Sequence, residues 1–292
     1  MLEYLSCGLE SFYQVMWIFL TYAFLGWCME VSYAALDLGK FVNRGFLNGP
    51  VCPIYGVGMV IVTGILTPLK ENLIVLFVGS ILLTTILEFL VGFVLEKVFH
   101  NKWWDYSMYP FNICGYICLK FSLIWGFACV FVVDLLHPIL MKVIHWIPTT
   151  AGIVMLSIFS VMIMVDGIIT IANILNLNKR IRLLDEIGKE LKKISNELGE
   201  NIYENVIEAV EKKESIKETV EEKKVTMTKT AQEKRRELER LQNHYKEILS
   251  NHQSSNTRLL KAFPNMTSGK HSEGLENLKK ELAEQVHKLK KK

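Results

Sequence analysis

The sequence predicts an all-α fold: a polytopic membrane bundle of about five transmembrane helices, followed by a helical tail of coiled-coil type. Three observations lead to this prediction. Hydrophobic stretches fill residues 1–176, charged residues concentrate in 177–292, and leucine and isoleucine recur at steps of three and four in the tail. Because such a change in composition marks a change of solvent, we expect a transmembrane domain over 1–176 and a tail domain over 177–292.

Charge divides the chain at the same place. Of the 33 Lys and Arg residues, 7 lie in residues 1–176 and 26 in 177–292; of the 30 Asp and Glu residues, 10 lie in the first part and 20 in the second. The formal charges are therefore −3 and +6. Basic residues in the tail alternate with acidic ones and have few aromatic neighbours, so we expect no nucleic-acid partner.

A helix needs roughly 20 mostly apolar residues to cross the hydrocarbon core of a bilayer, so the lipid bilayer is the first expected partner. Five stretches reach or approach that length: Phe12–Leu36, Cys52–Leu69, Asn72–Phe99, Tyr116–Leu136 and Ala151–Leu175. The second is the shortest. His137–Pro148 lies between the last two and is bounded by prolines, which predicts a loop or an interfacial segment.

Basic residues also predict the orientation, because they are enriched in short cytoplasmic loops. Five spans place the two termini on opposite sides. A cytoplasmic tail then puts most basic residues near the inner ends of the spans: Lys40, Arg44, Lys97, Lys102, Lys179, Arg180 and Arg182. Only Lys70 and Lys142 remain near the outer ends. We therefore expect a multi-pass protein of the plasma membrane with its N-terminus outside and its tail in the cytoplasm.

The tail carries apolar residues at helical spacing, which places them in a narrow seam on one face of each helix. The seam consists of Leu184, Ile187, Leu191, Ile194 and Leu198, then Leu238, Leu241, Tyr245 and Ile248, and finally Leu275, Leu278, Leu282 and Leu289. Residues 250–274 interrupt it with Ser, Asn, Gly and Pro264, which predicts a flexible break. The seam needs a helical partner, either a second copy in a homo-oligomer or the tail folded back on itself.

Ionisable residues interrupt the apolar stretches at Glu30, Glu88 and Asp166. Since a charge at the centre of a bilayer costs roughly 2.5–3.5 kcal/mol on insertion scales, each of them needs a physical reason. In the predicted orientation, Glu30 and Glu88 lie in the inner half of the membrane. They either pair with a basic residue such as Arg44 and hold helices together, or bind a transported or reacting group.

Two irregular segments lie at the same inner side. Residues 43–56 are rich in Gly and Pro, and backbone of this kind would leave amides free for an anionic headgroup or substrate. Residues 103–106 read Trp-Trp-Asp-Tyr, a composition that also suits the membrane interface without any other role. The candidate binding or transport residues are Glu30, Arg44, Asn48, Tyr55, Glu88, Trp104, Asp105, Tyr106 and Asn112.

Familiar catalytic motifs are missing from the sequence. It has no G-x-x-x-x-G-K-[ST] phosphate loop, so we do not expect this chain to hydrolyse ATP itself. It lacks H-E-x-x-H and G-x-S-x-G, and its histidines and cysteines do not combine at metal-binding spacing. We therefore expect no metal and no cofactor, and catalytic residues stay unassigned.

Several short blocks are similar to a known family. In order, they are Gly26-Trp27-x-x-Glu30, Arg44-Gly45-Phe46-Leu47-Asn48-Gly49-Pro50, Cys52-Pro53-Ile54-Tyr55-Gly56, Thr85-x-x-Glu88-Phe89 and Trp103-Trp104-Asp105-Tyr106. Over roughly residues 15–175 the chain resembles the family called "Putative ABC-transporter type IV", or CmpB-type permeases. The resemblance implies a bacterial multi-pass membrane protein that takes part in transport. It implies neither a substrate nor catalytic residues.

Three functions fit these observations. The favoured one is an ABC transporter permease subunit without its own ATPase, whose inner polar residues line a substrate path and whose partner is a separate ATP-binding subunit. The second is an intramembrane enzyme acting on a lipid or isoprenoid headgroup, with Glu88 or Asp105 as the acid–base group and Arg44 holding a phosphate. The third is a membrane scaffold that recruits partners through its tail. Five helices are few for a complete path, so the first function also suggests an oligomer.

Overall fold

The computed structural model describes residues 2–211, 218–250 and 254–290. Contacts divide the chain into two compact units. The first contains Met1–Leu175 and Ser254–Gly269, and the second contains Asn176–Gln253 and Lys270–Lys292. A short stretch from the C-terminal part of the chain therefore belongs to the unit that holds the apolar helices.

Helices make up most of the described residues. In chain order they are α1 (Leu2–Leu38), α2 (Pro53–Leu66), α3 (Leu73–Phe99), α4 (Leu119–Phe131), α5 (His137–Trp146), α6 (Thr149–Glu211), α7 (Glu218–Ser250), α8 (Ser254–Ala262) and α9 (Ser272–Lys290). A 3₁₀ turn at Thr67–Leu69 extends α2, and a π-helical turn at Val132–Leu136 joins α4 to α5. The short strands are β1 (Asn101–Lys102), β2 (Asn112–Ile113), β3 (Ile117–Cys118) and β4 (Thr267–Ser268).

The helices have the lengths and surfaces of membrane spans. Four segments of the described chain are long and apolar enough to cross a membrane: Ser11–Asp37, Leu73–Phe99, Leu119–Trp146 and Thr149–Glu200. A fifth apolar helix, Pro53–Leu69, is shorter. Many of their large apolar side chains are exposed, Ile74 and Met164 among them, and apolar surface of this extent calls for an apolar environment such as lipid. The predicted helical membrane bundle is confirmed.

One of two alternative predictions, a loop before the last apolar helix, is wrong, and the other, an interfacial segment, stays a prediction. His137–Pro148, predicted as a loop or interfacial segment, is helical as far as Trp146 and continues the helix that begins at Leu119. Pro138 lies in the first turn of α5, where its missing N–H is tolerated. The π-helical turn directly before α5 widens the helix where the proline ring would otherwise meet the carbonyl four residues earlier.

Glycines allow a close approach of α1 and α2. A Cβ atom added to Gly56 of α2 would lie 2.5 Å from the backbone carbonyl oxygen of Phe19 in α1. One added to Gly26 of α1 would collide with the ring of Tyr55 in α2. Small residues at such crossings let helix backbones come together in a membrane. These two glycines therefore set the spacing of the first two helices.

The apolar core of the first unit lies at the end of the bundle that holds the connection between α2 and α3. Its buried side chains are Trp17, Ile18, Leu20, Tyr22, Met59, Val62, Leu66, Leu76, Cys129, Val133, Ile144 and Leu156. Glu30, Arg44 and Glu88 lie outside this cluster. The bundle thus has an apolar end and an end where polar side chains gather.

Residues 254–269 pair with the opposite, polar end of the bundle. Strand β4 runs antiparallel to β1, with Asn101 opposite Ser268 and Lys102 opposite Thr267. The sequence predicts a flexible break over 250–274, and the described part of that range contains α8 and β4. Residues 251–253 lie outside the described residues.

In the second unit, the apolar seams of three helices lie against one another. The buried seam residues are Leu184, Ile187, Ile194, Leu275 and Leu278. Polar contacts hold the same helices together: Lys234 Nζ lies 2.7 Å from Glu197 Oε2, and Asn277 Nδ2 donates to Tyr245 Oη at 2.9 Å. Leu289 lies among residues whose side chains are not described. The seam therefore finds partners within the chain, and a seam between two copies stays a prediction.

Gly56→Ala should destabilise the bundle, because the added methyl group would meet the backbone of Phe19. Overpacking of this kind lowers the free energy of unfolding by about 1–3 kcal/mol. Gly64→Ala in the same helix is the control: no neighbouring atom lies within 4 Å of its Cβ position, so we expect a slight stabilisation, within about 1 kcal/mol. Thermal unfolding of the two full-length variants in one detergent makes the comparison. Equal unfolding temperatures would contradict the close α1–α2 contact.

Asp185 makes the stability of the second unit depend on pH. Its side chain is 3% exposed and its Oδ2 lies 2.7 Å from Lys189 Nζ and 3.0 Å from His271 Nδ1. Burial raises the pKa of Asp185, but the bonds from His271 and Lys189 outweigh burial and hold that pKa below its ordinary value of 3.8. A carboxyl with a depressed pKa stabilises the fold above its ordinary pKa, and the stabilisation is lost as the pH falls through the folded-state pKa.

Asp185→Asn should therefore lower the urea midpoint of the second unit at pH 7. The difference from the parent should shrink below about pH 4, where the parent carboxyl itself becomes protonated. Glu186→Gln, which changes an exposed neighbour, is the control and should move the midpoint little at either pH. Circular dichroism of the full-length variants in urea measures the midpoint at each pH. If the urea midpoints of the parent and of Asp185→Asn differed by the same amount at pH 7 and at pH 3, the role given to Asp185 would be contradicted.

Candidate functional site

Glu30 of α1 is the centre of the first polar contact group. Tyr55 Oη of α2 donates to Glu30 Oε1 at 2.5 Å, and Arg44 Nε lies 3.5 Å from Glu30 Oε2. The side chains of Arg44 and Glu30 are 28% and 26% exposed, so water screens this ion pair only in part. Gly26, one helical turn before Glu30, allows Tyr55 to come this close. The Arg44 guanidinium also lies 5.4 Å from the ring centre of Tyr33.

The segment between α3 and α4 folds back along α3. Tyr116 Oη donates to Glu96 Oε2 at 2.7 Å, the ring of Trp104 lies against Gly92, and Tyr106 Oη donates to Glu88 Oε1 at 3.2 Å. Positions 96, 92 and 88 are one helical turn apart on a single face. Because each residue of a helix rises 1.5 Å, Glu88 lies roughly 16 Å before the end of α3, so Tyr106 reaches deep into the helix bundle.

This returning segment forms hydrogen bonds within its own backbone. Tyr106 N–H donates to the carbonyl of Gly115 at 2.8 Å, and Trp104 Nε1 donates to the carbonyl of Tyr116 at 2.8 Å. The strands β2 and β3 pair antiparallel inside it. Gly115 has a φ of +69°, a conformation that favours glycine. The segment is thus a folded hairpin with aromatic side chains, residues 103–117, which we call the aromatic hairpin.

One face of α4 brings the two polar groups together. The ring of Tyr55 lies 5.5 Å from that of Trp125, and the ring of Tyr106 stacks on that of Phe121 at 4.8 Å. Phe121 and Trp125 are four residues apart, so they lie on the same side of α4. The Glu30–Tyr55 and Glu88–Tyr106 pairs therefore meet at neighbouring turns of one helix.

Glu88 has an unused acceptor. Its Oε1 accepts from Tyr106, whereas its Oε2 is buried and has no hydrogen-bond partner among the described residues. An unsatisfied buried polar atom costs about 1–3 kcal/mol, and more for a charged group. A buried atom of this kind in a folded protein therefore requires a physical reason.

The loop at residues 43–51 is held from both sides. Asn43 Oδ1 accepts from Trp27 Nε1 at 2.8 Å and from Gly45 N–H at 3.0 Å. Asp166 of α6 accepts from the Asn48 backbone N–H at 3.1 Å and from the Gly49 N–H at 2.7 Å. The amide side chain of Asn48 donates to the same carboxylate at 2.8 Å.

This arrangement corrects one expectation from the sequence. The amides of residues 45, 48 and 49 donate to Asn43 and Asp166, so they do not offer a free binding site to an anion. Asn48 accordingly binds Asp166 and Thr170, and its contacts hold the loop to α6.

Two further candidates serve the aromatic hairpin itself. Asp105 accepts from the Ser107 N–H at 3.0 Å and lies 3.7 Å from Lys102 Nζ. Asn112 donates to the carbonyl of Tyr109 at 2.8 Å. In the described structure neither contacts Glu30 or Glu88. Of the nine candidates, Glu30, Arg44, Tyr55, Glu88 and Tyr106 converge, while the other four hold the surrounding backbone: Asn48, Trp104, Asp105 and Asn112.

Sequence reasoning missed some participants. Asp166 stands out in the sequence as an intramembrane carboxylate, but nothing in its spacing points to the loop at 43–51. Asn43 and Phe121 carry no signal beyond their residue type. Among the residues that the structure describes, no group of three or more His, Cys, Asp or Glu could hold a metal ion.

Comparison with known proteins gives one match. The family model described as "Putative ABC-transporter type IV" matches residues 17–171, which includes the five converging residues. No curated protein matches, and no solved structure matches. With the apolar helices, the match indicates a membrane protein of transporter type.

Exchanging the charges of Glu30 and Arg44 tests their pairing. Glu30→Arg and Arg44→Glu should each lower the free energy of unfolding by about 1–3 kcal/mol, since each leaves two like charges together. The double exchange should recover at least half of the summed loss. The exposed pair Arg182 and Glu186 in α6 is the control, and its exchange should change stability by less than about 1 kcal/mol. Purely additive losses at Glu30 and Arg44 would show that the pair does not form.

Proposed function

We propose, from the premise that this chain belongs to the family "Putative ABC-transporter type IV", that it is the permease subunit of a transporter whose ATPase is a separate protein. Two facts support the division of labour. The family match covers the membrane helices, and the sequence contains no phosphate-binding loop. A membrane component of this kind needs an ATP-binding partner to drive transport.

The observation that carries the proposal is the meeting of two carboxylates, an arginine and two tyrosines inside an apolar bundle. Glu30, Arg44 and Tyr55 form one group, and Glu88 and Tyr106 form the other. Ionisable residues at membrane depth mark substrate or ion paths more often than they mark simple anchors. We assign these five residues to the substrate path.

The chemistry of the path follows from which carboxylate oxygens of Glu30 and Glu88 already have partners within the protein. Glu30 accepts a hydrogen bond from Tyr55 and forms an ion pair with Arg44, so both of its oxygens are engaged within the protein. Glu88 keeps one acceptor oxygen for a donor from outside the protein. A polar substrate that donates to Glu88 would lose its hydrogen bonds to water and gain hydrogen bonds to the tyrosine hydroxyls. The aromatic rings on α4 would cover its apolar side.

The permease proposal also includes an orientation of the chain in the membrane and an oligomeric state. The bias of basic residues supports an outer N-terminus and a cytoplasmic tail. Four full-length spans and one shorter helix are few for a closed path through a bilayer. We therefore propose that two or more copies assemble in the plasma membrane.

A second candidate function rests on the same unpaired oxygen. A buried carboxyl beside a tyrosine hydroxyl has the parts of an acid–base pair. An intramembrane enzyme acting on a lipid headgroup would use Glu88 in that role and would need no ATPase.

Purification of the tagged full-length protein from its native membrane in mild detergent tests the proposal. We expect an ATP-binding protein to copurify in a fixed ratio, with ATPase activity in the complex, and mass spectrometry identifies it. An unrelated multi-pass protein carrying the same tag is the control. Absence of any ATPase would overturn the permease assignment; lipid turnover by the lone chain, lost in Glu88→Gln, would then favour the enzyme.

The orientation has a separate test. In a background without native cysteines, Lys70→Cys should react with a membrane-impermeant thiol reagent in intact cells, because it lies near the outer ends of the spans. Lys40→Cys should react only after the membrane is opened. The reverse pattern would place the tail outside.

A further inference from the structure

Arg258 lies far outside the family-matched residues 17–171, yet it contacts the loop that carries Arg44. Its guanidinium donates to the carbonyl of Gly45 at 2.9 Å and to the carbonyl of Phe46 at 3.0 Å. These are the two residues that follow Arg44 in the chain. Hydrogen bonds from a charged donor are the stronger class, and a planar guanidinium holds two acceptors in a fixed geometry.

Aromatic packing provides a second contact between the C-terminal segment and the loop at residues 43–51. The ring of Phe46 lies 5.3 Å from that of Trp103 and 6.3 Å from that of Phe99. Phe263, five residues after Arg258, lies 4.9 Å from Trp103. The four rings form one cluster, which joins the loop, the end of α3 and the C-terminal segment. Such ring contacts add specific geometry to the burial of apolar surface.

Strand pairing fixes the other end of the segment. The β1–β4 ladder binds residues 267–268 to residues 101–102. Leu259, Ala262 and Met266 between these attachments are buried. The segment 254–269 therefore has three successive attachments to the first unit: the guanidinium, the aromatic cluster and the ladder.

Opposite charges hold opposite groups of the loop. Arg258 binds the carbonyls of residues 45 and 46, and Asp166 binds the amides of residues 48 and 49. Burial lowers the pKa of Arg258, while the charge of Asp166 opposes that change. The loop is therefore held at two places, at its carbonyls by a cation and at its amides by an anion.

We propose that Arg258 is a positioning residue: it fixes the loop at residues 43–51 so that Arg44 forms its ion pair with Glu30. The C-terminal segment 254–269 is then a part of the site and not a linker. This rests on the proposed function only in treating the Arg44–Glu30 pair as part of a substrate path.

Hydrogen–deuterium exchange of the full-length protein in detergent tests the first step. Arg258→Lys keeps the charge but cannot hold both carbonyls in the same way. We expect the amides of residues 43–51 to exchange about tenfold faster or more, the factor that corresponds to about one lost hydrogen bond to a charged group. Arg236→Lys, which changes an exposed arginine of α7, is the control and should leave that peptide unchanged. Unchanged exchange at 43–51 in Arg258→Lys would overturn the proposal.

A double-mutant cycle between Arg258→Lys and Glu30→Gln tests the second step. No contact joins the two side chains in the described structure, so a merely structural anchor would give additive losses, within a factor of about two in the unfolding equilibrium constant. Positioning predicts a coupling of about fivefold or more, because Arg258 then acts through the Arg44–Glu30 pair. Additivity would overturn the proposal.

Phe263→Leu provides a second variant if Arg258→Lys does not fold. It loosens the segment at the aromatic cluster and should speed exchange at 43–51 in the same direction, by a smaller factor. No change there would count against the positioning role. Neither measurement uses an ATPase or transport, so failure of this inference is distinguishable from failure of the permease proposal, which copurification decides alone.

Discussion

Backbone that is neither helical nor paired in a strand must find its hydrogen-bond partners elsewhere in the protein, and the site depends on this constraint. The loop at residues 43–51 contains two glycines and a proline and is not helical, so its backbone groups lack the regular bonds of a helix. Three of its amides, those of residues 45, 48 and 49, donate to Asn43 and Asp166, and two of its carbonyls accept from Arg258. The loop held in this way carries Arg44, whose Nε lies 3.5 Å from Glu30 Oε2.

The aromatic hairpin meets the same constraint by a different route. Its backbone groups pair within the hairpin, and its side chains carry the remaining polar atoms to carboxylates on α3. Tyrosine suits this task because its ring packs against apolar helices while its hydroxyl makes one directed bond. Among the described residues, Glu88 accepts from a tyrosine hydroxyl, and its Oε2 has no hydrogen-bond partner.

Sequence patterns predict some of this and miss the rest for physical reasons. The helices follow from runs of apolar residues, whose length and composition are local properties. Glu30 and Arg44 could be expected to pair because a charge within an apolar stretch requires a partner nearby. The segment His137–Pro148 misled because proline interrupts a helix in most positions and is harmless in its first turn. Arg258 is 213 residues from Gly45, and no periodicity links positions so far apart.

The first unit is built from two separate segments of the chain, and this has a consequence for its biosynthesis. Residues 254–269 belong to this unit, but residues 176–253, which belong to the second unit, separate them in sequence from the rest of the first unit. At translation rates of roughly 5–20 residues per second, on the order of 4–16 s pass between synthesis of residue 175 and the start of synthesis of residues 254–269. During that interval the carbonyls of Gly45 and Phe46 lack their guanidinium. The newly made bundle is therefore an unfinished protein, and its final form is reached only after synthesis of the tail.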